Sequence, residues 1–162
     1  MSIIYCIDTS AWIDLKEIYP FGVFPSLWNK LDTLIQNDVL ISPHQVYVEL
    51  KQWEDDVFRW VNQRKKLFRQ LDEEQIAIAK DVLNKFPTLT DPQKETEDAD
   101  PFVIALAIVE TKNLQLLGDQ CAVVSQEKGR IGTKMKIPDV CNHYDIKHFL
   151  LIDFFNNEGW KF

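Results

Sequence analysis

The sequence has no surplus of positive charge, no long apolar run and no paired-cysteine motif. Lys and Arg total 18 against 25 Asp and Glu in 162 residues, a net charge of −7. Without a global positive field to release counterions from phosphates, non-specific wrapping of nucleic acid is disfavoured. Contact with nucleic acid must then come from local basic patches or from a metal held by acids. No stretch approaches the roughly 20 apolar residues that span a bilayer. Met1-Ser2-Ile3-Ile4-Tyr5 carries no basic n-region, so neither secretion nor membrane insertion is expected. The three cysteines, Cys6, Cys121 and Cys141, include no C-x-x-C pair. Their odd number points to free thiols in a reducing cytoplasm, acting as small buried apolar residues. His44, His143 and His148 have no H-x-x-x-H partner, which argues against a structural zinc site.

What is present suits one α/β domain over residues 1–162, with 46% apolar residues to build a core. Ile3-Ile4-Tyr5-Cys6-Ile7 is an unalternated apolar run, the pattern of a strand buried on both faces of a parallel sheet. Ser10 can cap a helix over Ala11 to about Ile18, which Pro20 stops. A second helix starts at Pro25-Ser26, and Val39-Leu40-Ile41-Ser42 reads as a second strand. Pro43 then opens a helix over Gln45 to about Trp53. From about Asp55 to Phe86 the apolar spacing reads as wholly helical, with Asp72-Glu73-Glu74 at a helix start. Residues 88–97 lose periodicity and read as a loop. Asp98-Ala99-Asp100-Pro101 begins a helix to about Thr111, and Ala122-Val123-Val124-Ser125 reads as another buried strand. A basic loop over residues 126–136 leads to a short helix at Ile137-Pro138-Asp139. An edge strand at His148-Phe149-Leu150 and a last helix over Ile152 to Glu158 complete the chain.

Acids interrupt this apolar framework at telling places. Asp8 directly follows the first buried run, and residues beyond strand C-termini line the crevice where open parallel sheets bind ligands. Glu127 stands beyond the end of a different strand. Asp100 opens the helix before that strand, whose N-terminus lies at the same sheet edge. Glu49 sits among apolar neighbours in Val46-Tyr47-Val48-Glu49-Leu50. Singly, Asp8 and Asp100 can serve as helix-terminal charges, and Glu49 and Glu127 can be solvated. Jointly, four carboxylates distant in sequence converge on one edge. Convergent carboxylates repel and need a counter-charge. Mg²⁺ or Mn²⁺ supplies it, preferring oxygen ligands and taking one or two carboxylates directly. Such a site suits phosphodiester hydrolysis, because the metal acidifies its water and offsets charge on phosphate oxygens.

These residues resemble the PIN-domain nuclease pattern: Ile7-Asp8-Thr9-Ser10, Val48-Glu49-Leu50, Ala99-Asp100-Pro101-Phe102-Val103-Ile104-Ala105-Leu106-Ala107 and Val123-Val124-Ser125-Gln126-Glu127, in that order over nearly the whole chain. The Asp-Pro-Phe helix opening and Lys136-Ile137-Pro138-Asp139-Val140-Cys141 are similar to a subgroup of uncharacterised bacterial and archaeal PIN-like proteins. The resemblance implies a three-layer α/β/α fold with a small, mostly parallel central sheet, and Mg²⁺- or Mn²⁺-dependent endonuclease activity on RNA. Asp8, Glu49 and Asp100 match the three principal acids, Glu127 the more variable fourth, and Ser10 the small hydroxyl residue that orders the site. The fourth acid is often Asp in a Thr-x-Asp setting, whereas here Ser125 precedes Glu127. Asp139 is a nearby substitute, and Asp98 could also take part. The likeness to VapC-like toxins further implies a homodimer and inhibition by a small antitoxin protein.

Two basic clusters could meet RNA phosphates. Arg64, Lys65, Lys66 and Arg69 also fit a solvated helix face. Lys128, Arg130, Lys134 and Lys136 leave the same sheet edge as Asp8, with Gly129 and Gly132 allowing close backbone approach. Five tryptophans, Trp12, Trp28, Trp53, Trp60 and Trp160, are expected mostly in the core, with some free to serve an interface. Two other functions compete with the nuclease. A PIN-like module could bind RNA or protein without catalysis. A phosphatase using Asp8 as nucleophile ranks lower, because Ser10 stands where that chemistry usually has a second Asp.

Overall fold

The computed structural model describes residues 2–90, 98–129 and 134–162. Five parallel strands form one sheet in the order β3-β2-β1-β4-β5. They are β1 (Ile3–Ile7), β2 (Leu40–Pro43), β3 (Phe68–Arg69), β4 (Gln120–Val124) and β5 (His148–Phe149). The continuous apolar run of β1 makes it the centre: Cys6 pairs with Ile41 on one side and Val123 on the other. The sheet fades to two-residue strands at both margins, which leaves little unpaired edge.

Eight helices accompany the sheet among the described residues: α1 (Thr9–Ile18), α2 (Pro25–Gln36), α3 (His44–Lys51), α4 (Asp56–Asn62), α5 (Glu73–Lys85), α6 (Asp100–Leu114), α7 (Ile137–His143) and α8 (Leu151–Asn157). Helices α1, α3 and α4 contact one another, while α6 contacts both α5 and α7. Right-handed crossovers place these two groups on opposite faces of the sheet, giving three layers, α/β/α. Helix α6 is apolar around its whole circumference, and Pro101 to Ala107 are buried without a break. It lies against β1, β2 and β4, as an all-round apolar helix must to escape water. The core joins Tyr5, Ile7, Trp12, Leu31, Ile104 and Phe154, each fully buried.

The expected elements recur with three corrections. Asp8, not Ser10, caps α1, and its side chain accepts the Ser10 backbone N–H. Residues 55–86 are not continuously helical. After α4 the chain makes a 3-10 turn over Lys65–Leu67 and adds β3 before α5 begins. The Arg64–Arg69 cluster is not a free solvated face either. Arg64 pairs with Asp32 at 2.8 Å and lies over the Trp60 ring, while Lys66 and Arg69 both pair with Asp38. Those charges tie the β3 margin to the end of α2, where they are taken up by the fold. Among the described residues no helix is long and apolar enough to cross a membrane.

Candidate functional site

The strand order reverses at β1. From β1 the chain winds through β2 to β3 on one side, then crosses back to β4 and β5 on the other. Loops after β1 and β4 therefore diverge and open a crevice between them, the usual ligand position in an open parallel sheet. Asp8 follows β1, and Glu127 lies three residues beyond the last residue of β4. Helix α3 starts at the end of β2 and carries Glu49. Helix α6 presents Asp100 in its first turn, with Asp98 just before it. The resulting pocket of about 370 Å³ is lined by Asp8, Ser10, Glu49, Asp98, Asp100 and Glu127, together with Lys134 and Lys136.

Asp8 and Asp100 both carry a strong electrostatic signature. Asp8 is only 2% exposed. Its Oδ2 accepts hydrogen bonds from the Ser10 hydroxyl at 2.9 Å and the Ser10 backbone N–H at 3.3 Å. Its Oδ1 is buried and has no hydrogen-bond partner among the described residues. A buried carboxylate oxygen without a donor is costly, and such exceptions point to a missing ligand, ion or water. Burial, then the charges of Glu49 and Glu127, push the Asp8 carboxyl up to about 7, against a partial offset from the Ser10 and Thr9 hydrogen bonds. Asp100 is raised well above the usual carboxylate range, first by burial, then by repulsion from Asp8, Asp98, Glu127 and Glu49. Acids drawn from four separate segments thus share one field.

The surrounding hydrogen bonds hold these carboxylates in place. Ser10 Oγ accepts the backbone N–H of Gln126 at 3.1 Å, tying the turn after β1 to the loop after β4. Gln126 donates to Asp14 of α1 and accepts from the Leu151 N–H of α8. The Thr9 hydroxyl donates to Glu49 Oε1 at 2.9 Å. Glu127 Oε2 accepts the Ile137 N–H at the start of α7, and its own N–H donates to Ser125 Oγ. Asp98 Oδ1 accepts the Asp100 N–H at 3.2 Å.

Asp139, the substitute fourth acid, does not line the pocket. Its carboxylate caps its own helix by accepting the Lys136 N–H, and of the two acids it is Glu127 that lines the pocket. Of the basic loop, Lys134 and Lys136 reach the lining, whereas Lys128 is exposed outside it. Arg130 and Gly132 lie outside the described residues. Four lining residues have no site role assigned to them from the sequence: Thr9, Ile13, Trp53 and Leu89. Thr9 was legible in principle, since it sits between Asp8 and Ser10. Ile13 lies inside the first helix, Trp53 is among the tryptophans expected mostly in the core, and Leu89 falls in a segment that reads as a loop.

The donor set fits a hard divalent cation. Every carboxylate in the pocket offers oxygen, the Asp8 Oδ1 lacks a partner, and neighbouring negative charges help to raise the Asp8 and Asp100 carboxyls. Among the described residues no three His, Cys, Asp or Glu side chains form a ready-made cation cage. Mg²⁺ needs no such cage, because it keeps several waters and takes one or two carboxylates directly. Asp8 and Asp100 would hold it, with Glu49 and Glu127 lining the same pocket. No curated protein matches the chain. A family model matches residues 5–162, and by that match the chain belongs to the family described as Domain of unknown function (DUF4411).

Proposed function

We propose that this protein is a Mg²⁺- or Mn²⁺-dependent endoribonuclease. The observation that carries the reading is Asp8 Oδ1, a buried and unpartnered carboxylate oxygen in a pocket shared by Glu49, Asp98, Asp100 and Glu127. When bound, the ion supplies Lewis acidity, acidifying a water and offsetting charge on the phosphate oxygens. The chain's own residues do the rest. Ser10 fixes Asp8 by occupying Oδ2, which leaves Oδ1 as the carboxylate oxygen without a protein donor among the described residues. Thr9 orients Glu49. Glu127 is held against the start of α7, within electrostatic reach of Asp8. Lys134 and Lys136 bring the positive charge that an acidic protein needs to accept a phosphodiester backbone.

A cytoplasmic location belongs to the same proposal, supported by three free, buried cysteines. A toxin role, a homodimer and an antitoxin partner rest on the PIN-like resemblance of the sequence.

The test is cleavage of an end-labelled single-stranded RNA. Strand scission is expected with Mg²⁺ or Mn²⁺, stops in excess EDTA, and resumes when metal is restored. Cleavage that survives EDTA contradicts the mechanism. RNA binding with no cleavage under either metal returns the protein to the non-catalytic alternative.

A further inference from the structure

The five tryptophans do not share one environment. Trp12 and Trp28 are buried. Trp60 packs tilted against one and edge-on to the other, with ring centroids at 5.8 and 5.0 Å, and Trp160 is half-buried against Phe154 and Phe155. Trp53 instead is 52% exposed, and it lines the acidic pocket beside Ile13 and Leu89. It stands on the turn after α3, one turn beyond Glu49. Its backbone N–H donates to the Leu50 carbonyl at 3.3 Å. The next residue, Glu54, adopts a left-handed φ of 43°, and its carbonyl accepts from Arg59 at 2.9 Å. The turn is therefore pinned from both sides, with a large indole left open to solvent at the pocket wall.

The pocket is bipartite. Carboxylates and two lysines make one part; Ile13, Trp53 and Leu89 make the other. A phosphodiester with its base has the same division, a charged backbone and a flat apolar face. Lys134 and Lys136 favour a phosphate over a basic peptide, since both would repel the peptide's charge. Resting on the nuclease reading, we propose that Trp53 is a stacking platform for an unpaired base of the RNA, and that it selects single strands. In a duplex each base face is covered by its neighbours, so an indole can stack only on a base that is free or extruded. Stacking on an aromatic side chain is tolerant of base identity, so Trp53 selects strandedness rather than sequence.

The test uses a fluorescently labelled single-stranded RNA and the same sequence as a duplex, with anisotropy as the readout. Asp8→Asn protein with Mg²⁺ present keeps the RNA intact during binding. Adding Trp53→Ala to it is expected to weaken single-strand binding by about 5- to 100-fold. Trp53→Phe restores most of the loss, and the duplex binds more weakly than the single strand. In otherwise wild-type protein, Trp53→Ala raises KM with little change in kcat. A thermal melt checks that the exposed substitution leaves the fold intact. Single-strand binding unchanged by Trp53→Ala, or duplex bound as tightly as single strand, overturns the proposal. Binding that needs Trp53 in a protein that never cleaves supports the platform while removing the nuclease. Cleavage indifferent to Trp53 does the reverse.

Discussion

Asp8→Asn and Asp100→Asn are each expected to lower RNA cleavage by about 10²- to 10³-fold or more, the scale of losing one preorganised charge in an active site. The amide keeps the size of the carboxylate and can still accept from Ser10, but it removes the charge that would hold a cation. The same change should make the protein more stable. Asp8 is buried beside Glu49 and Glu127, which oppose its ionisation, so deleting its charge relieves repulsion in the metal-free fold. Near neutral pH the gain for Asp8→Asn is on the order of 2–4 kcal/mol, and the thermal midpoint rises. Activity lost while stability is gained separates a functional acid from a structural one. A variant that loses activity because it unfolds, or one that cleaves as the wild type does, contradicts this assignment.

A second large effect concerns pH. The Asp8 carboxyl titrates at an ordinary carboxylate value when unfolded but near 7 in the fold, and Asp100 is shifted in the same direction. Between these limits the folded state binds more protons than the unfolded one, so stability must fall as pH rises through that window. For Asp8 alone the full excursion corresponds to roughly 4 kcal/mol. Urea unfolding of the metal-free protein should therefore show a higher midpoint near about pH 5 than near about pH 8. Saturating Mg²⁺ offsets the repulsion between ionised acids and should raise the midpoint most at the higher pH, flattening the slope. Asp8→Asn should lose much of both effects. A metal-free protein whose stability rises from pH 5 to pH 8 would contradict a site made of mutually repelling acids.

The parts of this molecule written in local pattern were readable from the chain. The unalternated run Ile3–Ile7 is the central strand, and Pro101 to Ala107 reads as a helix buried on all sides because no face of it is polar. Asp8, Glu49, Asp100 and Glu127 could be placed at one edge because parallel topology sends every strand end to that edge. The segment between α4 and α5 was not readable. Val57, Trp60, Val61, Leu67 and Leu71 keep helical spacing without a Gly or Pro to interrupt it, and β3 exists only through its pairing with Ser42 and Pro43, a contact distant in sequence. The role of Asp139 was also hidden, since a carboxylate that caps its own helix and one that faces a pocket have the same one-letter spelling. Trp53 was lost for a related reason. Its position after a helix suits a core ring as well as an exposed one, and only the fold shows the indole half open to solvent.

Calorimetric titration of the purified protein with Mn²⁺ puts the shared cation to trial without requiring the right RNA. Wild-type protein should bind Mn²⁺, release protons as it does so near neutral pH, and lose that binding in both Asp8→Asn and Asp100→Asn. Wild-type protein that takes up no Mn²⁺, or binding equally strong in the two variants, would mean that these acids meet without an ion between them.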